Sequence, residues 1–162
     1  MCKTFFLTDT KKYEGVFLDG AVEGLPQRPY GNQEERFDFI SDIMVNIITK
    51  LGVKHVFVEG YSMGSKGAVF NIGENTGLLK HKLWKAGISI TSVPPTVNKK
   101  SWTGKGNAKK DAMYTEFLER TGVDLVKALD YKPVEIGSPV GDIVDSYSIM
   151  CYGLDSMNGT KQ

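Results

Sequence analysis

Apolar positions along the chain alternate in short runs near the N-terminus and then recur every three to four residues over longer stretches. Residues 3–7 and 15–18 favour strands, and the polar stretch Asp9-Thr10-Lys11-Lys12 between them predicts a hairpin. Residues 20–33 are rich in glycine and proline and read as a loop. Phe37, Ile40, Met44, Ile47 and Leu51 give one apolar face to a helix over 33–51, and Gly52 is a fitting stop. Residues 53–59 read as a buried strand. A second long helix is predicted over 65–86, with Val69, Ile72, Leu79 and Leu83 on its buried side. Gly73 and Gly77 inside it each cost about 1 kcal/mol against alanine, which implies close backbone contact with a neighbour. Gly87 ends that helix, residues 88–93 form a strand, and Pro94-Pro95 ends the strand. A basic, glycine-containing segment leads into a helix over 108–120, stopped by Gly122, and residues 123–132 hold a short further helix. Ser138 as cap and Pro139 at the first helical position open the last helix. Val140, Ile143, Val144, Tyr147 and Cys151 form its buried stripe.

Helix alternating with buried strand is the α/β pattern. At 162 residues the chain is expected to form a single domain over 1–162. A net charge of +1 excludes a bulk polycation, so any nucleic-acid contact must come from local clustering of charge. Cys2 and Cys151 stand far apart in no metal-type spacing, which argues against a disulfide framework and a zinc site and suggests a reducing, cytoplasmic setting. The N-terminal apolar run is too short for a signal peptide, and no run reaches membrane-spanning length.

Two chemistries compete around Val56–Phe70. Gly60-Tyr61-Ser62-Met63-Gly64 fits G-x-S-x-G, the nucleophile elbow of serine hydrolases. That reading needs a histidine late in the chain, whereas His55 precedes Ser62 and His81 follows it by only 19 positions. Glu59, at the end of the same strand, supports the other chemistry. Asp142 and Asp145 are three apart and share a helix face. Three carboxylates brought together repel one another unless a cation joins them, and hard oxygen ligands suit Mg²⁺ or Mn²⁺. Two such ions are a standard device for phosphodiester hydrolysis. Taken singly, each carboxylate has an ordinary explanation: helix-dipole complement for Asp142, solvation for Asp145 and Glu59. Lys99, Lys100, Lys105, Lys109 and Lys110 surround Trp102 within twelve residues, a pattern suited to phosphates and to stacking on an exposed base, or to a lysine-rich surface loop.

In combination, VFVEGYSMG, IGENTG, VPPTVNKK, TGKGNAKKDAM and GDIVDSYSI resemble, in order and spacing, the RuvC-type crossover junction endonucleases of the ribonuclease H-like superfamily, in a phage-like version. The resemblance covers most of the chain. It implies a mixed sheet flanked by helices and a metal-dependent endonuclease acting on four-way DNA junctions in recombination and repair. It also implies a homodimer, and a cytoplasmic location (the host's, if phage-encoded). Glu59, Asp142 and Asp145 would be the metal ligands, and Lys110 would hold the scissile phosphate. Tyr61 and Ser62 would contact DNA near the cut. The family's first strand ends in a catalytic aspartate within a pattern like I-D-P-S, which nothing here fits well. The N-terminus reads instead as the second and third strands, so the first strand is expected to be missing, with Asp9 as the alternative acid. Two other classes stay open: a junction-binding module without catalysis, and a serine hydrolase using Ser62.

Overall fold

A computed structural model of the chain describes residues 2–61 and 69–159, the side chain of Val69 excepted. The chain is a mixed α/β protein that divides into two compact units, Met1–Arg28 with Thr96–Gln162, and Pro29–Pro95.

The first unit opens with three strands: β1 (Thr4–Thr8), β2 (Gly15–Phe17) and β3 (Val22–Pro26), in the order β1-β3-β2. This corrects the expected hairpin. β2 pairs antiparallel with β3, and β1 pairs with β3 in parallel, from Thr4 opposite Val22 to Thr8 opposite Pro26. It also corrects the reading of residues 20–33 as loop throughout, since Val22 and Gly24 are buried strand positions. Glycine is required at position 24, because a Cβ there would stand 1.7 Å from the carbonyl oxygen of Tyr13. The glycine that looked like a loop signal is therefore a close-approach position within the sheet.

Four helices complete this unit: α3 (Pro95–Thr103), α4 (Lys110–Thr121), α5 (Leu125–Ala128) and α6 (Val140–Met157). Pro94 ends the preceding strand, but Pro95 starts a helix, as its fixed φ favours. The first half of the basic segment is thus helical. Gly122 caps α4 at φ 68° and bonds Leu118, as the sequence suggested. Ser138 does not cap α6: Pro139 occupies the cap position, and the Gly141 N–H bonds the Gly137 carbonyl at 2.7 Å. Val140, Ile143 and Val144 of α6 lie in one core with Trp102, Met113 and Phe117, and Tyr147 and Cys151 pack against it.

The second unit contains α1 (Gln33–Lys50), β4 (His55–Glu59), α2 (Val69–Lys85) and β5 (Ser89–Val93). Asn32 caps α1 by accepting a bond from the Glu35 N–H at 2.7 Å. β4 and β5 pair in parallel, Glu59 opposite Val93, with α2 between them in sequence. The buried stripe of α1 lies one step round from the expected one. Phe37 and Ser41 are buried and Val45 and Ile48 pack against Leu79, Leu83 and Ile88, while Met44 and Leu51 are exposed. Ser41 breaks the apolar period because its hydroxyl turns back to the Asp38 carbonyl at 2.9 Å. Lys82 of α2 reaches α1, its ammonium 2.5 Å from Asp38 and 2.6 Å from Asp42.

The outward face of α2 corrects a second expectation. A Cβ on Gly73 or Gly77 would meet nothing within 4 Å, so among the described residues no neighbour uses those glycines. Ile72 is exposed too, and Phe70 and Trp84, on the Gly77 face, are 79% and 71% exposed.

Candidate functional site

The acidic pair sits on α6. Asp142 lies in its first turn, exposed, and Asp145 follows one turn later, half-buried. The other face of α6 carries Val140, Ile143 and Val144 into the core, so both carboxylates stand on a rigid element. Lys110 stands over Gly141, its Nζ 3.4 Å from where a Cβ on Gly141 would be. Lys110 is the first residue of α4, and any larger side chain at position 141 would compete with it for this space.

Electrostatics tie the group together. Burial pushes the Asp145 carboxyl above its ordinary range, Lys110 and Lys99 pull it back, and Asp142 adds to the rise. A half-buried carboxylate with a second carboxylate one turn away resists ionisation unless cations offset it. The structure therefore brings together four of the residues read from the sequence: Asp142, Asp145, Lys110 and Lys99.

Others are placed differently. Trp102 is a core residue, not a stacking platform. It is 3% exposed, its indole N–H donates to the Met113 carbonyl at 3.1 Å, and the Arg120 guanidinium covers its ring at 4.2 Å. Lys100, Lys105 and Lys109 are exposed in the same unit, Lys100 on α3 and the other two before α4. Glu59 belongs to the second unit, where it is exposed at the end of β4 instead of buried there. Gly60 follows it and extends the strand pairing, its N–H 2.7 Å from the Val93 carbonyl. Tyr61 is exposed, with the Lys80 ammonium 5.4 Å from its ring centroid, and it lines an open groove of about 420 Å³ with Phe70, Gly73 and Glu74. Ser62 and Gly64 lie outside the described residues. His55 bonds Thr91 at 2.8 Å across the β4–β5 pair, a structural tie that occupies one nitrogen of its ring.

Two residues without a local sequence signal hold the acidic helix in place. Asn98 and Ser148 are each 1% exposed, and the Asn98 amide donates to the Ser148 hydroxyl at 2.9 Å. That hydroxyl in turn donates to the backbone carbonyl of Asp145 at 2.9 Å. The tie joins α3, next to Lys99, to α6 at Asp145. A polar pair on opposed buried positions gives no local sequence signal, because it depends on which helices meet.

Asp9 directly follows β1, exposed, in the same unit as the acidic pair, and β1 packs on α6. Among the described residues no three His, Cys, Asp or Glu side chains group closely enough to hold a metal ion. The Asp142–Asp145 pair fits a divalent cation in kind: two hard oxygen donors on one helix face, one of them desolvated and raised. The donor set is partial.

No family model matches the sequence, and no curated protein matches it. Solved structures do. RuvC of Thermus thermophilus aligns with a TM-score of 0.58 at 17% identity, covering 84% of this chain and 76% of that one. The same organism's RuvC in complex with a Holliday junction substrate aligns with a TM-score of 0.60 at 16% identity, covering 81% and 75%. The fold is RuvC-like. RuvC has a ribonuclease H-like fold, so the expected fold class holds. Among the described residues no helix is long and apolar enough to cross a membrane.

Proposed function

We propose that the chain is a metal-dependent endonuclease of branched DNA, with four-way junctions as its substrate. The observation that carries this reading is the half-buried Asp145 set between Asp142 and the ammonium groups of Lys110 and Lys99 in a RuvC-like fold. Asp142 and Asp145 would hold Mg²⁺ or Mn²⁺, with Glu59 as a further ligand. The bound ions would supply an activated water and charge stabilisation for in-line attack on a phosphodiester. Lys110, over Gly141, would hold the scissile phosphate by its ammonium. Lys99, Lys100, Lys105 and Lys109 would neutralise flanking phosphates, and Tyr61 and Ser62 would contact DNA near the cut. With a partial donor set, junction binding is expected to be strong and cleavage slow.

The reading extends to a homodimer, in which the partner of the outward face of α2 is a second copy. Paired antiparallel about Gly77, this helix matches itself: Phe70 falls opposite Trp84, Gly73 opposite His81 and Glu74 opposite Lys80. Aromatic then meets aromatic, acid meets base, and glycine stands at the crossing. An isologous contact requires this self-complementarity. A twofold dimer would also present two sites to a four-way junction.

The test is cleavage of a synthetic four-way junction and a matched linear duplex with Mg²⁺, Mn²⁺ or chelator. Wild type is compared with Asp142→Asn, Asp145→Asn, Glu59→Gln and Asp9→Asn. Metal-dependent paired nicks lost in the first three variants are expected. Loss in Asp9→Asn identifies Asp9 as the remaining acid, and unchanged nicking leaves the site without it. Junction binding with no nicks under any metal supports the second reading, a binding module without catalysis. Metal-independent ester turnover abolished by Ser62→Ala would overturn both.

A further inference from the structure

Cys2 and Cys151 are separated by nearly the whole chain, and their spacing argued against a disulfide framework and a zinc site. The fold brings them to the same place. The Cys2 Sγ lies 3.7 Å from the Met150 Sδ on α6. Tyr147, Met150 and Cys151, at i, i+3 and i+4, form neighbouring positions on that helix. The Cys2 thiol interacts electrostatically with both Tyr147 and Cys151. Both cysteines carry free thiols, Cys2 exposed and Cys151 half-buried against the core of the unit.

We propose that Cys2 and Cys151 form a disulfide-bonding pair that an oxidant of the low-molecular-weight disulfide class closes, clamping the start of β1 to α6. This inference does not depend on the nuclease reading. The exposed Cys2 thiolate attacks one sulfur of the oxidant, giving a mixed disulfide and releasing one small thiol. The Cys151 thiol then loses its proton to solvent and attacks the Cys2 sulfur, releasing the second. Protein dithiol and small disulfide become protein disulfide and two small thiols. Burial holds the Cys151 thiol above its ordinary range, so the second step is the slow one. A disulfide needs Cα atoms about 4.4–6.8 Å apart. Cys2 can adjust to this, because the sheet first grips the segment at Thr4, whose N–H bonds the Ala21 carbonyl at 2.8 Å.

The experiment treats the folded full chain with oxidised glutathione. It counts thiols with Ellman's reagent, runs non-reducing electrophoresis and identifies linked peptides by mass, with Cys2→Ser and Cys151→Ser in parallel. Loss of both thiols in a monomer, a peptide joining the two cysteines and a thermal midpoint higher by roughly 5–10 °C are expected. Cys151→Ser should instead stop at a stable mixed disulfide on Cys2. The proposal is overturned if the wild-type chain also stops there with Cys151 still titratable, or if it links only between chains. It is also overturned if both thiols pair only after unfolding in urea.

Discussion

Replacing Ser148 by alanine tests whether the buried Asn98–Ser148 tie positions the acidic helix. The substitution removes the acceptor of the Asn98 amide at 2.9 Å, in a place where both residues are 1% exposed. Bulk solvent does not reach this position, and the Asn98 Oδ1 has no hydrogen-bond partner among the described residues. The loss is therefore one hydrogen bond plus a stranded amide donor, about 1–3 kcal/mol. The Asp145 carbonyl loses only an extra donor, since it also accepts within the helix. For a chain of this size the thermal midpoint should fall by roughly 3–10 °C. The sharper test is the pair of substitutions. Ser148→Ala with Asn98→Leu replaces both partners by apolar groups of similar shape, which is close to neutral. The double variant should then be more stable than Ser148→Ala alone, as read by urea unfolding monitored by circular dichroism. A Ser148→Ala cost below about 0.5 kcal/mol, or two costs that simply add, would refute the reasoning.

Asp145→Asn should raise stability while abolishing junction cleavage. The folded carboxyl titrates above its unfolded counterpart, so its contribution is fully present below the ordinary carboxylate range and is lost as pH rises through the folded value. The variant should melt higher than wild type at pH 7, with the difference shrinking as pH falls below the ordinary carboxylate range. Trp84→Glu should leave the melting of the monomer nearly unchanged, the side chain being 71% exposed, but shift the proposed dimer to monomer by light scattering. An unshifted dimer would remove α2 as its interface. Gly24→Ala forces a Cβ to 1.7 Å from the Tyr13 carbonyl oxygen and should lower the unfolding free energy by about 1–3 kcal/mol or more, measured by denaturant titration.

The long helices were legible because their apolar faces repeat over several turns and end at glycines such as Gly52 and Gly122, both at φ 68°. The N-terminal sheet was not. Strand adjacency is a long-range fact, and β3 separates β1 from β2 although it follows both in sequence. Ser41 misled the reading of α1, since a small hydroxyl satisfied by its own helix packs as well as an apolar residue. Trp102 misled the reading of the basic segment. Among lysines it looked like a base-stacking aromatic, but three-to-four periodicity along α3 turns it inward beside Asn98. The paired aspartates and Lys110 were legible through their spacing and resemblance, and the Asn98–Ser148 tie that steadies them was not.

The acidic helix carries opposite demands on adjacent faces. Val140, Ile143 and Val144, at 0%, 2% and 1% exposure, secure it in the core, and Asp145 next to them is half desolvated with a second carboxylate nearby. Keeping Asp145 ionised costs folding free energy, and Lys110 and Lys99 offset only part of it, because the net shift remains upward. A helix held by weaker packing could relieve that cost by fraying its first turn, where Asp142 stands. Here three buried branched side chains, the core around Trp102 and the Asn98–Ser148 tie prevent such relief. That remaining cost, burial first and the nearby Asp142 charge second, is what a divalent cation would relieve on binding. The same core that makes the site costly would therefore make it receptive to the proposed cation, and an acid-to-amide substitution should gain stability while weakening any Mg²⁺ or Mn²⁺ binding.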